Sequence, residues 1–262
     1  MTNIYKKDFK HIGLLSAMPE EVGSIIDCLT SLNSFKFGDI EIFSGELVFN
    51  SVKKIKITTA WSGWGKVSAS RATTRLLSIN FGKNPIDLLI FTGVAGGIDL
   101  KLRQWDVVIA DSIIQYDMDA RPLFKRYVIP SIGSEKVFPS KFLIEEIYKL
   151  LKKNINKERF NMFGSIHKGL IATGDTFIAE SSKINKLAEE IPGLLAVEME
   201  GAAFAQVAHQ ENVPWVVIRV ISDSADDNAH SEFSEFLEKY KLKSFDLIKQ
   251  ILEHIADLKS KK

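Results

Sequence analysis

Charged residues interrupt two apolar segments in the second half of the sequence, and their types suit acid–base chemistry. The segment AVEME carries Glu198 and Glu200, and the segment VPWVVIRVISD carries Arg219 and Asp223. A carboxylate that leaves water without a partner costs several kcal/mol or takes up a proton. Because such charges are avoided in ordinary buried strands, these segments indicate a site that uses the charged groups.

Two further segments follow apolar runs and carry candidate residues. After Met18, Pro19 suits the first turn of a helix, and Glu20 and Glu21 lie where the helix dipole favours negative charge; the sequence does not decide which glutamate faces a pocket. The segment GVAGG (93–97) lacks the G-x-G-x-x-G spacing of a dinucleotide loop and has no following G-K-[ST]. Its glycines indicate either a close approach of backbone to a ligand or a tight turn without one.

A metal site is a weaker interpretation of the segment after Asp223. Asp223, Asp226, Asp227 and His230 form a D-x-x-D-D-x-x-H pattern, but no second set of ligands has matching helix spacing. Asp226 and Asp227 also suit a solvated turn before the final helix. We therefore expect no metal and no other cofactor, and the absence of a G-x-S-x-G motif gives no support to a serine hydrolase.

The candidate residues follow short apolar runs that read as buried strands. These runs are 12–17, 87–93, 169–174 and 213–222, and EMEG ends a further short strand. Amphipathic stretches predict helices at 20–30, 66–80, 139–153, 180–190, 200–211 and 231–257. This alternation predicts an α/β fold with a mixed central β-sheet flanked by helices, and ligands of such sheets bind beyond the carboxyl ends of the strands. Five strand ends should therefore meet at one pocket.

Two segments depart from the alternation. The stretch 39–61 alternates polar and apolar residues around Asn50 and Ser51, which predicts an antiparallel hairpin. The stretch 116–138 has no clear period and contains two prolines, which is typical of a binding or interface loop.

Composition restricts the class of protein. The 262 residues, 45% of them hydrophobic, are enough for one domain, which we place at 1–262 with an extension at 1–10 and a frayed tail at 258–262. The 34 basic and 33 acidic residues nearly cancel, which argues against nucleic acid as a partner. A single cysteine, Cys28, which we expect to be buried on a helix, excludes an internal disulfide and favours a reducing compartment. No apolar run is long enough for a membrane helix, so we expect a cytoplasmic protein.

The motifs together resemble the nucleoside phosphorylase and nucleosidase superfamily, and within it the bacterial nucleosidases of 5'-methylthioadenosine and S-adenosylhomocysteine. The resemblance runs from about residue 11 to residue 257. VEMEGAA and RVISDSAD are specific for the superfamily, whereas MPEEV and GDTFI point to the nucleosidase branch. The resemblance implies a nucleoside phosphorylase-like fold and hydrolysis of the bond between ribose and adenine.

The resemblance also implies roles for individual residues. Asp223 matches the acid that protonates adenine N7, and Glu21 matches the base that activates water. Glu200 matches the residue that binds the ribose 2' and 3' hydroxyls, while Glu198, on another face of its strand, is expected to be structural. The remaining substrate-binding positions are Met18, Trp64, Val94, Phe177, Ile178, Met199, Arg219, Ser222 and Phe233. Leu123 and Phe124, in the segment 119–124, should reach the 5' pocket of a second subunit, which implies a homodimer.

Two residues depart from the pattern of the family. Val94 stands where a serine is usual, and the loss of a hydroxyl that helps to hold phosphate in the phosphorylases favours water. Trp64 stands where a smaller aliphatic residue is common, and it could narrow the 5' pocket against the long tail of S-adenosylhomocysteine. Three alternatives remain: a purine nucleoside phosphorylase, a hydrolase of another adenine nucleoside such as aminodeoxyfutalosine, and a non-catalytic nucleoside-binding protein.

Overall fold

The computed structural model describes residues 8–22, 24–79, 84–223 and 229–258, and its centre is a mixed β-sheet with helices packed against both faces. This is the fold class that the sequence predicts, and that prediction is confirmed. The strands of the described residues are β1 (His11–Ser16), β2 (Leu29–Phe37), β3 (Ile40–Val48), β4 (Lys54–Trp61), β5 (Leu88–Gly97), β6 (Val107–Gln115), β7 (Lys136–Val137), β8 (Ile166–Thr173), β9 (Leu194–Glu198) and β10 (Trp215–Asp223). The α-helices there are α1 (Lys66–Ser78), α2 (Lys141–Asn154), α3 (Ser181–Glu190), α4 (Gly201–Gln210), α5 (Ala229–Tyr240) and α6 (Ser244–Asp257).

The sheet is partly closed on itself. Strand β5 pairs in parallel with both β1 and β10, and its last two residues also pair antiparallel with β9. The path then runs from β10 through β6 and β8 back to β9, so five strands form a ring beside an open extension of β1, β4, β3 and β2. Strands β1, β5, β8, β9 and β10 therefore end close together, which is the condition for a shared site.

Apolar side chains cover both faces of the sheet. On one face the core contains residues of α2, α5 and α6, including Leu143, Phe236 and Ile251. On the other face the small residues of α1 and α4, such as Ala72 and Ala205, allow these two helices to pack closely against the strands. Burial on both faces explains why β1 and β10 read as continuous apolar runs rather than as alternating ones.

Several predicted elements are wrong or incomplete. The stretch 20–30 is not a helix: it contains two short 3-10 turns, Pro19–Glu21 and Ile26–Cys28, and then enters β2. Cys28 is exposed at the end of the second turn rather than buried. The predicted helix over 231–257 is two helices, α5 and α6, separated at 241–243.

The hairpin predicted at 39–61 is confirmed as β3 and β4, which pair antiparallel from Phe43 opposite Thr59 to Val48 opposite Lys54. In the segment 116–138, turns precede the short strand β7. Arg126 forms an ion pair with Glu190 of α3, and the Tyr127 hydroxyl donates to the same carboxylate at 3.1 Å. Residues 1–7 and 259–262 of the expected extension and tail lie outside the described residues, and the domain boundaries stay a prediction.

None of the helices within the described ranges is long and apolar enough to cross a membrane.

Candidate active site

A cleft opens where β1, β5, β9 and β10 end, the position at which ligands of such sheets bind. Besides Leu123 and Phe124, the sequence predicts twelve site residues, and eleven of them line the cleft: Met18, Glu21, Trp64, Val94, Phe177, Ile178, Met199, Glu200, Ser222, Asp223 and Phe233. The prediction that several strand ends form one pocket is therefore supported by the positions of these side chains.

Glu21 is the most enclosed carboxyl group of the cleft. Its side chain turns back over the end of β1, where Oε2 accepts hydrogen bonds from Ala17 N at 2.7 Å and Met18 N at 2.9 Å. Oε1 accepts from Val94 N at 3.0 Å. Burial raises the pKa of Glu21, and the charge of Arg219 and these N–H groups act in the opposite direction. Glu21, rather than Glu20, is thus the glutamate that faces the cleft.

Glu200 lies at the start of α4 and is held by the loop before α1. Its Oε1 accepts from Gly65 N at 2.8 Å. Burial and the negative charge of Glu198 raise the pKa of Glu200 to about 8, against the effect of Arg219. Burial therefore favours the protonated form of the Glu200 carboxyl group.

Glu198 joins the helix start to the strands. Oε2 accepts from Glu200 N at 3.1 Å and Gly201 N at 2.7 Å, which satisfies free donors at the N-terminus of α4. Oε1 accepts from the Thr173 hydroxyl, and Oε2 also pairs with Arg219. The structure thus gives Glu198 the packing contacts expected of a structural residue, although the residue also lines the cleft.

Arg219 is the predicted site residue that does not line the cleft. It is fully buried, with its guanidinium over the Phe91 ring at 4.6 Å, and it pairs with Glu198 and lies 3.8 Å from Glu200. In place of a direct contact with a ligand, the structure puts this charge behind the wall of the cleft. The charge of this one buried arginine therefore acts on all three glutamates, Glu21, Glu198 and Glu200.

Gly93, in the middle of β5, allows two charged side chains to lie close to the strand. Gly93 lies opposite Arg219 in β10, and a Cβ at Gly93 would overlap both Arg219 Nη1 and Glu21 Oε1. The missing side chain leaves room for a charged pair of groups to converge. Of the open interpretations of GVAGG, the structure favours the one in which backbone comes close to functional groups.

Asp223 is placed by a bulge at the end of β10. Ile221 lies opposite Ala95 and Asp223 lies opposite Gly96, so two residues of β10 advance while β5 advances one. The Ser222 hydroxyl donates to Asp223 Oδ2 at 2.6 Å and fixes the orientation of the carboxyl group. The Ser222 carbonyl accepts from Gln104 Nε2 at 2.7 Å, which holds the bulge in place.

Three aromatic side chains cover the mouth of the cleft. The Phe233 ring meets Phe177 edge-on at 5.8 Å between centroids and meets Trp64 edge-on at 6.5 Å. Trp64 is 54% exposed, so one part of the indole lines the cleft while the rest faces outward. This aromatic cover suits a flat, apolar ligand.

Several lining residues escaped the sequence analysis, because they contribute backbone or small side chains that carry no chemical signature. They are Ala17, Thr176 and Val197, whereas Ala95 and Gly96, which also line the cleft, belong to the predicted segment GVAGG. The predicted partner residues Leu123 and Phe124 do not line the described part of this cleft, and they are 84% and 42% exposed. Their assignment to the cleft of a second subunit stays a prediction.

The cleft is poor in positive charge and in metal ligands. Among the described residues that line it there is no lysine, arginine or histidine. Within the same described part of the chain no three His, Cys, Asp or Glu residues are grouped to hold a metal ion. Asp226 and Asp227, and the side chain of His230, lie outside what is described.

The mixed, partly closed sheet with a carboxylate-rich cleft at its strand ends is the architecture of a nucleoside-processing enzyme. A family model described as the phosphorylase superfamily matches residues 11–253, and the chain belongs to this superfamily. The chain is 32% identical over 245 residues to 5'-methylthioadenosine/S-adenosylhomocysteine nucleosidase of Anoxybacillus flavithermus, a match that covers 94% of this chain and 99% of the relative. The resemblance stated from the sequence is thereby confirmed.

Two solved structures extend the comparison. The nucleosidase of Colwellia psychrerythraea in complex with adenine superposes with a TM-score of 0.83 at 29% identity, covering 98% of this chain and 99% of that one. The futalosine hydrolase of Helicobacter pylori superposes with a TM-score of 0.79 at 28% identity, covering 93% and 97%.

Proposed function

We propose that the protein hydrolyses the N-glycosidic bond of 5'-methylthioadenosine and S-adenosylhomocysteine, releasing adenine and the corresponding 5-thioribose. The curated relatives with this activity support the proposal. The observation that carries it is the set of three carboxyl groups, Glu21, Glu200 and Asp223, that line one cleft beside an aromatic cover. Such a cleft offers an acid, a base and a group for a diol in a single site.

Asp223 is the proposed acid. Adenine leaves poorly as an anion, so protonation at N7 while the bond from C1' to N9 breaks lets it leave as a neutral base. The Ser222 hydroxyl orients the Asp223 carboxyl group, which lines the cleft and would give its proton to adenine. Phe177 and Phe233 would enclose the purine ring, and the backbone at Ile178 would bind its polar edge.

Glu21 is the proposed base. As positive charge develops on the ribose, water adds to C1' and loses a proton to the Glu21 carboxylate. Arg219 lies behind this carboxylate, and its charge lowers the pKa of Glu21 against the effect of burial. The charge of Arg219 would thus stabilise the carboxylate that activates the water.

Glu200 is the proposed ligand of the ribose 2' and 3' hydroxyls, with Met199 against the sugar. The bond from Gly65 N to Glu200 Oε1 fixes the carboxyl group at the centre of the cleft. An ionised Glu200 can accept both hydroxyl protons, so substrate binding would favour loss of the proton that burial retains. The negative charge then lies beside the ribose, where it would stabilise the cationic transition state.

Water is favoured over phosphate as the nucleophile. Phosphate recognition needs cationic or hydroxyl groups, and no cationic side chain lines the described cleft. Val94 supplies a backbone N–H to Glu21 instead of a hydroxyl to an anion. At the start of α1, Gly65 N and Lys66 N already donate to the carboxylates of Glu200 and Asp175, so this helix terminus is not open to an anion.

The proposal includes a cytoplasmic homodimer in which Leu123 and Phe124 complete the 5' pocket of the other subunit. Two large apolar side chains exposed on one loop support this part of the proposal. The 5' substituent would lie between these residues, Met18 and Trp64.

Hydrolysis of an aminodeoxyfutalosine-type nucleoside is the second candidate, favoured by the similarity to the futalosine hydrolase. Adenine release from methylthioadenosine, S-adenosylhomocysteine and aminodeoxyfutalosine, compared as kcat/KM, distinguishes the two. We expect methylthioadenosine to be the best substrate. A higher kcat/KM for aminodeoxyfutalosine would contradict the proposal.

The substitution Asp223→Asn tests the proposed acid. It should lower kcat for methylthioadenosine about a thousandfold while nucleoside binding persists. Asp175→Asn, outside the cleft lining, is the control. Turnover by Asp223→Asn at the wild-type rate would contradict the proposal.

A further inference from the structure

A polar cluster lies behind Glu21, on the face of the sheet that α5 and α6 cover. Thr92 lies on this face, because it follows Leu88 and Ile90 at intervals of two residues along β5. Side chains two residues apart on a strand share a face, and Leu88 and Ile90 belong to the core on this side. Arg219 lies on the opposite face, with its guanidinium over Phe91. Glu21 therefore crosses the end of the sheet between a cation on one face and a hydroxyl group on the other.

Tyr240 brings a second hydroxyl group to Thr92. It is the last residue of α5, is fully buried, and its ring stacks on Phe236 at 5.4 Å between centroids. The hydroxyl adjoins Thr92 and lies close enough to Glu21 for that charge to act on it; burial first, and then Glu21, raise the pKa of Tyr240. Tyr240 thus stays a neutral group that can both donate and accept.

The hydroxyl groups of Tyr240 and Thr92 interact with each other. Both oxygens are buried, and beyond this contact neither has a hydrogen-bond partner among the described residues. Buried water molecules in proteins bind at such sites. Each water makes about three hydrogen bonds to buried polar atoms that would otherwise lack a partner. Two hydroxyls that each donate and accept can hold a water in either orientation.

The corner between α5 and α6 is also fixed to the turn that carries Glu21. The Ser244 hydroxyl, at the start of α6, donates to the Glu20 carbonyl at 3.1 Å. Helices α5 and α6 both pack against the turn Pro19–Glu21. The position of Tyr240 relative to Glu21 is therefore set by direct contacts.

We propose that Tyr240 is a positioning residue for Glu21: with Thr92 it holds a buried water behind the carboxylate, and this polar backing keeps the base ionised. The inference rests on the proposed role of Glu21 as base. The other charged groups that act on Glu21 are Arg219 and Glu200, and Glu198 acts through its pair with Arg219. Tyr240 and Thr92 are neutral polar groups that stabilise the ionised Glu21 from the face of the sheet covered by α5 and α6, where none of these charged groups lies.

The test is the pH dependence of kcat/KM for methylthioadenosine in wild type, Tyr240→Phe and Thr92→Val. Both variants replace a buried polar group by an apolar one of similar shape, which makes ionisation of Glu21 less favourable. We expect the acidic limb of the profile to move to higher pH by roughly half a unit to one unit, with KM unchanged. The double variant should move it by less than the sum of the two shifts, because both hydroxyls hold the same water.

The matched control is Tyr148→Phe, on α2, whose hydroxyl accepts from Lys152 Nζ away from the cleft. An active Tyr240→Phe and Thr92→Val with the wild-type acidic limb would overturn the inference and leave the proposed function intact. Thr92→Val decides alone if Tyr240→Phe does not fold, as judged by circular dichroism. Absence of adenine release by wild type would instead remove the proposed function, and the inference with it.

Discussion

Three glutamates and one arginine share a volume from which water is largely excluded. Glu21, Glu198 and Glu200 all act on the buried Arg219, so ionisation of all three would leave excess negative charge at low dielectric. The site relieves this by retaining a proton, and burial raises the pKa of Glu200 to about 8. Substrate hydroxyls and a cationic transition state would stabilise the ionised carboxylates.

The retained proton predicts a stability that depends on pH. Between the ordinary value of 4.5 and about 8, Glu200 holds a proton in the folded protein that the unfolded chain has released. Its contribution to the free energy of unfolding is therefore present below the lower value and lost as pH rises through the higher one. Glu200→Gln mimics the protonated form and should become more stable than wild type by on the order of 2 kcal/mol at pH 9.

Thermal unfolding of wild type and Glu200→Gln between pH 5 and pH 9 measures this effect. The difference in Tm should grow with pH, while activity falls because the diol loses an ionisable acceptor. Glu189→Gln, at an exposed position of α3, is the control and should show no such trend. A Tm difference that stays constant with pH would contradict the assignment of the proton to Glu200.

Trp64 is expected to select the 5' substituent. The indole lines the cleft next to Gly65, which binds Glu200, and meets Phe233 edge-on. A shorter side chain would open this part of the mouth, so Trp64→Ile should raise kcat/KM for S-adenosylhomocysteine relative to methylthioadenosine by about tenfold. Phe177→Leu, at the purine end, should lower both values in similar proportion. An unchanged ratio in Trp64→Ile would exclude this role.

At the scale of elements, the site depends on the close approach of β5 to the side chains of Glu21 and Arg219. Gly93, in the middle of β5, permits Glu21 and Arg219 to approach each other beside the strand. Gly93→Ala should therefore displace both groups, lower kcat/KM about 100-fold and destabilise the protein by about 1 to 3 kcal/mol. Steady-state kinetics and denaturant unfolding measure the two effects.

Gly97→Ala, on the same strand, is the matched control, because the nearest atom to the added Cβ is Ile221 Cγ2 at 3.3 Å. It should retain most of the activity. Equal losses in the two variants would indicate that general packing of β5, rather than the approach of Glu21 and Arg219, explains the effect.

The strands that position the site could be predicted because they are buried on both faces and their sequences are continuous apolar runs. Strand β6 was missed: the exposed Asp111 interrupts its apolar pattern at a register shift against β8. Strand β2 was missed because seven of its nine residues are exposed, and its structure depends on pairing with β3. Local sequence patterns do not contain information about such partners.

Two features of the site could not be predicted from the sequence for a similar reason, because they depend on contacts with other parts of the chain. The predicted helix at 20–30 is absent, and Glu21 turns inward because the backbone of Ala17 and Met18 binds its carboxylate. A helix start with two acidic residues would have placed both in solvent. Likewise, Arg219 lies behind the cleft because it forms an ion pair with Glu198. The two residues belong to different strands, β10 and β9, so their contact could not be predicted from the local sequence.

At the scale of the whole molecule, the exposed loop with Leu123 and Phe124 predicts a shared site. A variant with Leu123→Ser and Phe124→Ser should lose about tenfold or more in kcat/KM for methylthioadenosine, although its own cleft residues are unchanged. Light scattering measures the subunit number. We expect a homodimer for wild type, since each cleft needs the loop of a partner.

Mixing provides the sharper measurement. The loop variant has an intact acid, and Asp223→Asn has an intact loop, so subunit exchange between them should restore activity in one cleft of each mixed dimer. Mixing the loop variant with a protein that carries all three substitutions is the control and should restore nothing. Failure of the first mixture to regain activity, despite demonstrated subunit exchange, would contradict the shared site.

The central claim is that water, and not phosphate, attacks the ribose of methylthioadenosine in a cleft where Glu21 is the base. The most direct test is the identity of the sugar product, resolved by chromatography after incubation with and without phosphate. The account predicts adenine and methylthioribose in both buffers at the same rate. A requirement for phosphate, with methylthioribose 1-phosphate as the product, would contradict it.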